Sequence, residues 1–285
     1  MRFLFLGHTG IGDHIIMNGL IHTFIKEHES LQELQIIAAD DYRKTTLLHM
    51  YEDYPIVTFY WLRKKEGYAF DVEDPVFLAL NGQQDGRIIM LDDKPYITMT
   101  FGLHSQRRFF WLESGKSWID CLYKFPLNYD CENRYKEFHL PSNLSRAQSL
   151  YDTVCKQLHG GDYVLIHDDP TRGRNADAYT VKELLKKDNM LDIPVLYLGF
   201  RRYQYPLLEG LYNKDMGSLF ECESLFDLYY LLQNAKACHL MDSSIACLVD
   251  ISNIQGKLYM HNYINEASGL GFTREPWVQI NKLTH

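Results

Sequence analysis

The chain has no surplus of positive charge. Its 285 residues carry 29 Lys and Arg against 37 Asp and Glu, a formal net charge of −8. Nucleic-acid binders show a basic face, and this composition does not favour one. Long apolar runs are also missing. Nothing approaches the roughly 20 residues of a membrane span. The apolar start, Met1 to Leu6, is interrupted at once by Gly7, His8 and Asp13, too soon for a signal peptide. The expectation is a cytoplasmic protein with no transmembrane segment. The six cysteines, at 121, 131, 155, 222, 238 and 247, form no C-x-x-C pair. That points away from zinc and redox motifs and toward reduced, mostly buried thiols. The dinucleotide pattern G-x-G-x-x-G is absent. A GKS at Gly115 to Ser117 is not a phosphate loop, because Phe110 stands where the first glycine is required.

What is present is a soluble globular balance, 46% hydrophobic and 23% charged, with 20 Tyr and 15 Phe. The length suits two domains. The chain opens on strand, Gly-rich turn and helix. Met1 to Leu6 is the strand, Gly7 to Asp13 the turn, and His14 to His28 the helix. Strands are predicted at Leu34–Ala38 and Ile56–Trp61, with a helix from Asp40 to Tyr51 between them. This β-α-β-α-β order implies a parallel sheet with helices on its faces. Shorter strands are expected at Phe77–Leu80, Ile88–Leu91 and Tyr96–Thr100, and a helix at Ser117–Phe125. Turn residues at Pro141 to Ser145 mark a boundary, giving domains 1–145 and 146–285. The second half repeats the alternation. Helices are read at Ala147–Leu158, Tyr179–Lys187, Leu225–Asn234 and Asp242–Ile251. Strands are read at Tyr163–His167, Val195–Gly199, Cys238–Met241 and Leu258–His261. The fold class is therefore α/β, two Rossmann-type domains.

Chemistry in such folds gathers where strands end and helices begin. Asp13 stands there in the first unit. It either caps the helix or presents a carboxylate to a hydroxyl-bearing substrate. A pyrophosphate on that turn would be repelled by it. In the second half, Met241-Asp242-Ser243-Ser244 puts small hydroxyl residues at a helix start, suited to a diphosphate or simply to capping. His167-Asp168-Asp169-Pro170-Thr171-Arg172-Gly173-Arg174 ends a strand. Its two arginines could neutralise a leaving phosphate; the His-Asp-Asp could hold a metal, although nothing else has ligand spacing. Glu223 could bond a ribose diol or only place charge at a helix start. His104, Arg107 and the aromatics at 109–111 suit sugar or phosphate contacts, or tuck into the core. His8 and His14 are expected near the substrate, His22 and His28 on the surface.

Taken together, Gly10-Ile11-Gly12-Asp13 after a first strand, Ser224-Leu225 opening a helix, and Cys238-His239-Leu240-Met241-Asp242-Ser243-Ser244 resemble the ADP-heptose:lipopolysaccharide heptosyltransferase family. The departures are Ser244 where that family has glycine, Cys247 where it has histidine, and Arg172 and Arg174 where it usually has lysine. The resemblance implies a GT-B fold, parallel sheets facing across a cleft, and inverting, metal-independent glycosyl transfer with Asp13 as base. It implies an N-terminal acceptor domain and a C-terminal nucleotide-sugar domain. Donor contacts are then expected from Gly12, His167, Arg172, Arg174, Glu223, Asp242, Ser243 and Ser244. Acceptor contacts are expected from His8, His14, His104 and Arg107. The partners would be a nucleotide-sugar and a glycan or glycolipid, with no nucleic acid. No cofactor is expected beyond the sugar nucleotide as co-substrate. The competing readings are a pyruvyl transferase or other group transferase on the same scaffold, and a non-catalytic carbohydrate-binding protein.

Overall fold

The computed structural model describes residues 1–6, 10–41, 43–63, 74, 76, 86–100, 122–123, 127–167, 176–198, 213–214, 222–241, 243–252, 254–261 and 277–280. The chain divides into two compact units, Met1–Ser142 and Asn143–His285.

The first unit is built around β1 (Arg2–Leu6). Its Leu4 and Phe5 are fully buried, the pattern of a strand covered on both faces. It pairs in parallel with β2 (Glu33–Ala39) on one side and with β5 (Lys94–Thr100) on the other. Beyond β2 lies β3 (Val57–Leu62), and beyond β5 lies β4 (Ile88–Leu91), giving the order β3-β2-β1-β5-β4. One strand departs from the all-parallel expectation. β4 runs antiparallel to β5, with Leu91 opposite Lys94. The cause is local: a two-residue turn at Asp92 and Asp93, φ 46° and 60°, leaves no length for a crossover.

The long helix α1 (Ile11–Glu27) starts three residues earlier than expected, and α2 (Lys44–Met50) follows β2. Every residue of α1 from His14 to Phe24 is buried. It is therefore not the one-faced surface helix its apolar spacing suggested. The segment 127–142, with the short helix α3 (Asn133–Lys136), lies over its polar side. There the His139 N–H donates to Asn18 Oδ1 at 2.9 Å, and Asn133 Nδ2 to Thr23 Oγ1 at 3.2 Å. Tyr129 Oη donates to Glu27 at 2.7 Å, and Lys26 pairs with Glu137. Gly19 permits the crossing, since a Cβ there would sit 2.3 Å from the Asn133 carbonyl oxygen. This strap explains a correction. His22, expected on the surface, is 2% exposed, its ring 4.2 Å from that of Tyr54 and 5.4 Å from that of His139. His28 is half-buried, with Nδ1 at 2.9 Å from the Phe24 carbonyl.

The second unit carries six parallel strands in the order β11-β10-β9-β6-β7-β8. They are β6 (Val164–His167), β7 (Val195–Leu198), β8 (Asn213–Lys214), β9 (Ala237–Leu240), β10 (Lys257–His261) and β11 (Trp277–Ile280). Counted along this unit, the order is that of a doubly wound dinucleotide-type sheet, reversing between β6 and β9. Its helices are α4 (Ser145–Gln157), α5 (Ala178–Lys187), α6 (Tyr229–Gln233) and α7 (Ser244–Ile251). The helix expected over 225–234 is split, with a 3₁₀ turn at Leu225–Leu228 preceding α6. Val181 and Leu185 of α5 pack on Val164, Ile166, Val195 and Tyr259. Two histidines on neighbouring strands of this sheet, His239 and His261, are buried with Nδ1 and Nε2 3.0 Å apart.

Candidate functional site

An open α/β sheet leaves a crevice at the carboxyl ends of its strands where the order reverses. In the first unit that point lies between β1 and β5, and the chain leaving β1 enters α1. Gly10 is the N-cap, with φ −78° and ψ 143°, and as a glycine it offers no side-chain cap. Asp13 lies inside that turn and is half-exposed. Its charge complements the positive end of the helix dipole. The capping reading of Asp13 is thereby corrected, because the cap position belongs to glycine. Gly12 lies in the same turn, half-exposed. His14, one residue on, is 1% exposed.

The reversal in the second unit lies between β6 and β9, with His167 and Leu240 opposite each other at the strand ends. His167, the last residue of β6, is 4% exposed. Its carbonyl accepts the Met241 N–H at 3.3 Å, which ties the two strand exits together. Ser243 then caps α7, its Oγ accepting the Ala246 N–H at 3.4 Å. The same Oγ is 3.3 Å from His167 Nδ1. Ser243 and Ser244 are half-exposed, whereas Ile245 through Ile251 are buried. The helix thus presents only its N-terminal end. A helix start of this kind offers unpaired N–H donors and the positive end of a dipole to an anion. The structure brings His167 and Ser243 together where the sequence placed them 76 residues apart.

Glu223 precedes the 3₁₀ turn and is exposed. Its carboxylate pairs with Arg146 at 3.0 Å. Ser224 and Asp227 form a reciprocal cap, with Asp227 Oδ2 accepting the N–H groups of Glu223 and Ser224 at 2.9 and 3.1 Å. Arg146 Nε lies 3.4 Å from the same oxygen. Sequence reading missed Arg146. The signal was the Ser-x-x-Asp spacing, which fixes the turn that Arg146 then grips.

His8, His104, Arg107, Arg172, Arg174 and Asp242 lie outside the described residues, as do the strand expected at Phe77–Leu80 and nearly all of the helix at Ser117–Phe125. Among the described residues no group of three His, Cys, Asp or Glu is placed to hold a metal ion. None of the described helices is long and apolar enough to cross a membrane. The described cysteines are free thiols, with 238 and 247 buried, 131 and 155 half-buried and 222 exposed.

No family model matches this chain, and no curated protein matches it in sequence. Solved structures do match. The ADP-heptose LPS heptosyltransferase II of E. coli is 13% identical with a TM-score of 0.55, over 100% of this chain and 92% of that one. A family 9 glycosyl transferase from Veillonella parvula is 12% identical with a TM-score of 0.50, over 99% of this chain and 86% of that one. The likeness is one of fold: this chain has the GT-B-like α/β architecture, as its resemblance to the heptosyltransferase family implied.

Proposed function

We propose that the protein is a glycosyltransferase that moves a sugar from a nucleotide-sugar to a hydroxyl of a glycan or glycolipid, with inversion and without a metal. One observation carries the reading. In a chain that shares its fold along its whole length with two glycosyltransferases, each unit sets a helix start at the reversal point of its sheet. One of these starts bears a carboxylate, the other a hydroxyl cap.

Asp13 takes the proton of the acceptor hydroxyl as that oxygen attacks the anomeric carbon. The new carbon–oxygen bond forms on the face opposite the diphosphate. The bond to the diphosphate oxygen breaks, and the nucleoside diphosphate departs with the electron pair. Its negative charge meets the N-terminus of α7, Ser243, Ser244 and the Arg172 and Arg174 guanidinium groups. These supply the positive field that a divalent cation gives elsewhere. Glu223 serves the ribose, and the second unit is the donor half.

Asp13→Asn tests the reading. It should melt at the wild-type temperature and bind nucleoside diphosphate normally, while transfer falls by at least ~100-fold, the worth of a positioned base. Transfer is followed by nucleoside diphosphate release with a panel of ADP-, UDP- and GDP-sugars, with EDTA present throughout. An undiminished rate in Asp13→Asn rejects the base. A thermal shift with phosphoenolpyruvate and none with sugar nucleotides rejects glycosyl transfer.

A further inference from the structure

The first sheet ends on β4, and among the described strands none lies beyond it. Edge strands are commonly kept from pairing by charge, by proline or by cover. The sequence of β4, Ile88-Ile89-Met90-Leu91, holds neither charge nor proline. Ile88 and Met90 share one face of the strand, 69% and 61% exposed, while Ile89 and Leu91 pack on the core from the other.

The ladder shows which backbone groups β4 leaves over. Leu91 and Lys94 face each other across the two-residue turn, a position where a pair exchanges both its hydrogen bonds. Such pairs alternate along an antiparallel ladder. Ile89 therefore also bonds to β5, and Ile88 and Met90 turn their N–H and C=O groups away from it. Pro95, with no N–H to give, stands opposite Met90, as this alternation allows. At the far end Thr98 faces two residues: its carbonyl accepts the Gly86 N–H at 2.8 Å, and its N–H donates to the Arg87 carbonyl at 2.7 Å. That bulge, with Gly86 at φ 81°, ends the regular ladder. The open edge is thus short, apolar and bounded, with the cation Arg87 before it and the anions Asp92 and Asp93 after it.

We infer that β4 is a self-association edge, pairing antiparallel with β4 of a second copy of this chain across a two-fold axis. The edge is complementary to itself in charge, because antiparallel alignment carries the Arg87 end of each strand to the Asp92–Asp93 end of the other. A membrane is a poorer occupant, since the two turn carboxylates repel an anionic lipid surface. The register follows from the backbone. Residues that turn their hydrogen-bonding groups outward must face each other, so Ile88 stands opposite Met90, and Ile89 opposite Ile89. Sliding either way sets a strand residue against the turn or against the Gly86 bulge. The exposed Ile88 and Met90 side chains of both copies then form one apolar cluster. Each copy uses the same edge, so the assembly closes as a dimer. The inference does not depend on the glycosyl-transfer reading.

A ladder of four residues a side lies at the small, transient end of interfaces. Sedimentation velocity of the full chain should accordingly show monomer at about 5 µM and a growing share of dimer toward about 500 µM. Ile88→Lys and Met90→Lys alter exposed positions, so each should keep the wild-type melting temperature and abolish the dimer. Arg87→Asp should weaken it about fivefold, more at low salt than at high. Ile89→Cys should form an oxidised dimer above the wild-type background, because Cα atoms at such a pair are about 4.5 Å apart. Met90→Cys should not, since diagonal neighbours stand about 7–8 Å apart. A chain that stays monomeric throughout overturns the inference. So does a dimer that survives both lysine variants or ignores Arg87→Asp, and so does Ile89→Cys cross-linking no better than Met90→Cys. Flotation with phosphatidylglycerol vesicles that is lost in Met90→Lys, without self-association, gives the edge to lipid and overturns it too. The proposed function stands through every one of these outcomes.

Discussion

Glu223 and Asp13 show how differently two carboxylates fare once they are placed. Glu223 shares its charge with Arg146 across 3.0 Å, with side chains 66% and 51% exposed. Exposed pairs of this kind contribute little, about 0–1 kcal/mol. Glu223→Ala should therefore leave the melting temperature almost unchanged. If Glu223 serves the donor's ribose, the same variant should weaken ADP, UDP or GDP affinity, and calorimetry decides it. Unchanged affinity assigns Glu223 to the turn alone. Asp13 was legible in the sequence because a Gly-rich turn between a buried strand and a helix has few other places to put a carboxylate. Its exact rank in the helix was not, because capping preferences favour Ser, Thr, Asp and Asn, and the chain uses Gly10. His22 was misjudged for a related reason. A histidine on the polar stripe of a helix looks solvated until something covers that stripe, and the covering segment lies more than a hundred residues on.

Among elements, α1 is held from outside its own sequence. Tyr123 Oη donates to the Ile16 carbonyl at 2.7 Å, Asn133 Nδ2 to Thr23 Oγ1 at 3.2 Å, and Gly19 admits the backbone of Asn133. Gly19→Ala places a methyl 2.3 Å from a backbone oxygen, so α3 must shift. The expected cost is about 1–3 kcal/mol, the scale of overpacking in a closed interior, read as a lower urea midpoint. A stability equal to wild type would mean that the strap packs loosely. Gly256 is the counterpart in the second unit, where a Cβ would meet the Ala235 carbonyl at 2.2 Å. The strands of both sheets were readable because buried parallel strands are continuous apolar runs. Three elements were not. The two-residue β8 and four-residue α3 are too short to show a period, and β11 is a partly exposed edge strand with no alternation to follow. The reversal of β4 follows from turn chemistry at Asp92-Asp93, which the strand pattern alone does not carry.

For the molecule as a whole, both units bury neutral histidines, and this sets its response to acid. Burial, with help from His139 and Lys26, lowers the basicity of His22 to a pKa of about 4, and Tyr51 and Tyr54 flank the same ring. In the second unit burial takes His261 to about 4, against the pull of Asp177, and lowers His239 beside it. Each of these groups binds its proton more weakly folded than unfolded. Stability is therefore full above the unfolded value of 6.5 and declines as pH falls from there toward about 4. His22 and His261 each account for at most about 3 kcal/mol of that loss. Urea midpoints should be flat from pH 7 to 8 and drop steadily below 6.5. His22→Phe should flatten part of the slope. A midpoint that stays constant down to pH 4.5 would mean these rings are solvated.

The strap over α1 also bears on how the chain is made. The helix that carries Asp13 leaves the ribosome before the residues that seal its outer side, 127–142, which follow about a hundred positions later. During translation the nascent polypeptide exposes that side, with Asn18 and His22 still wet, until the strap emerges. Chaperone dependence should therefore concentrate in that window, and a chain stalled before residue 127 should be trapped far more readily than one stalled after 142.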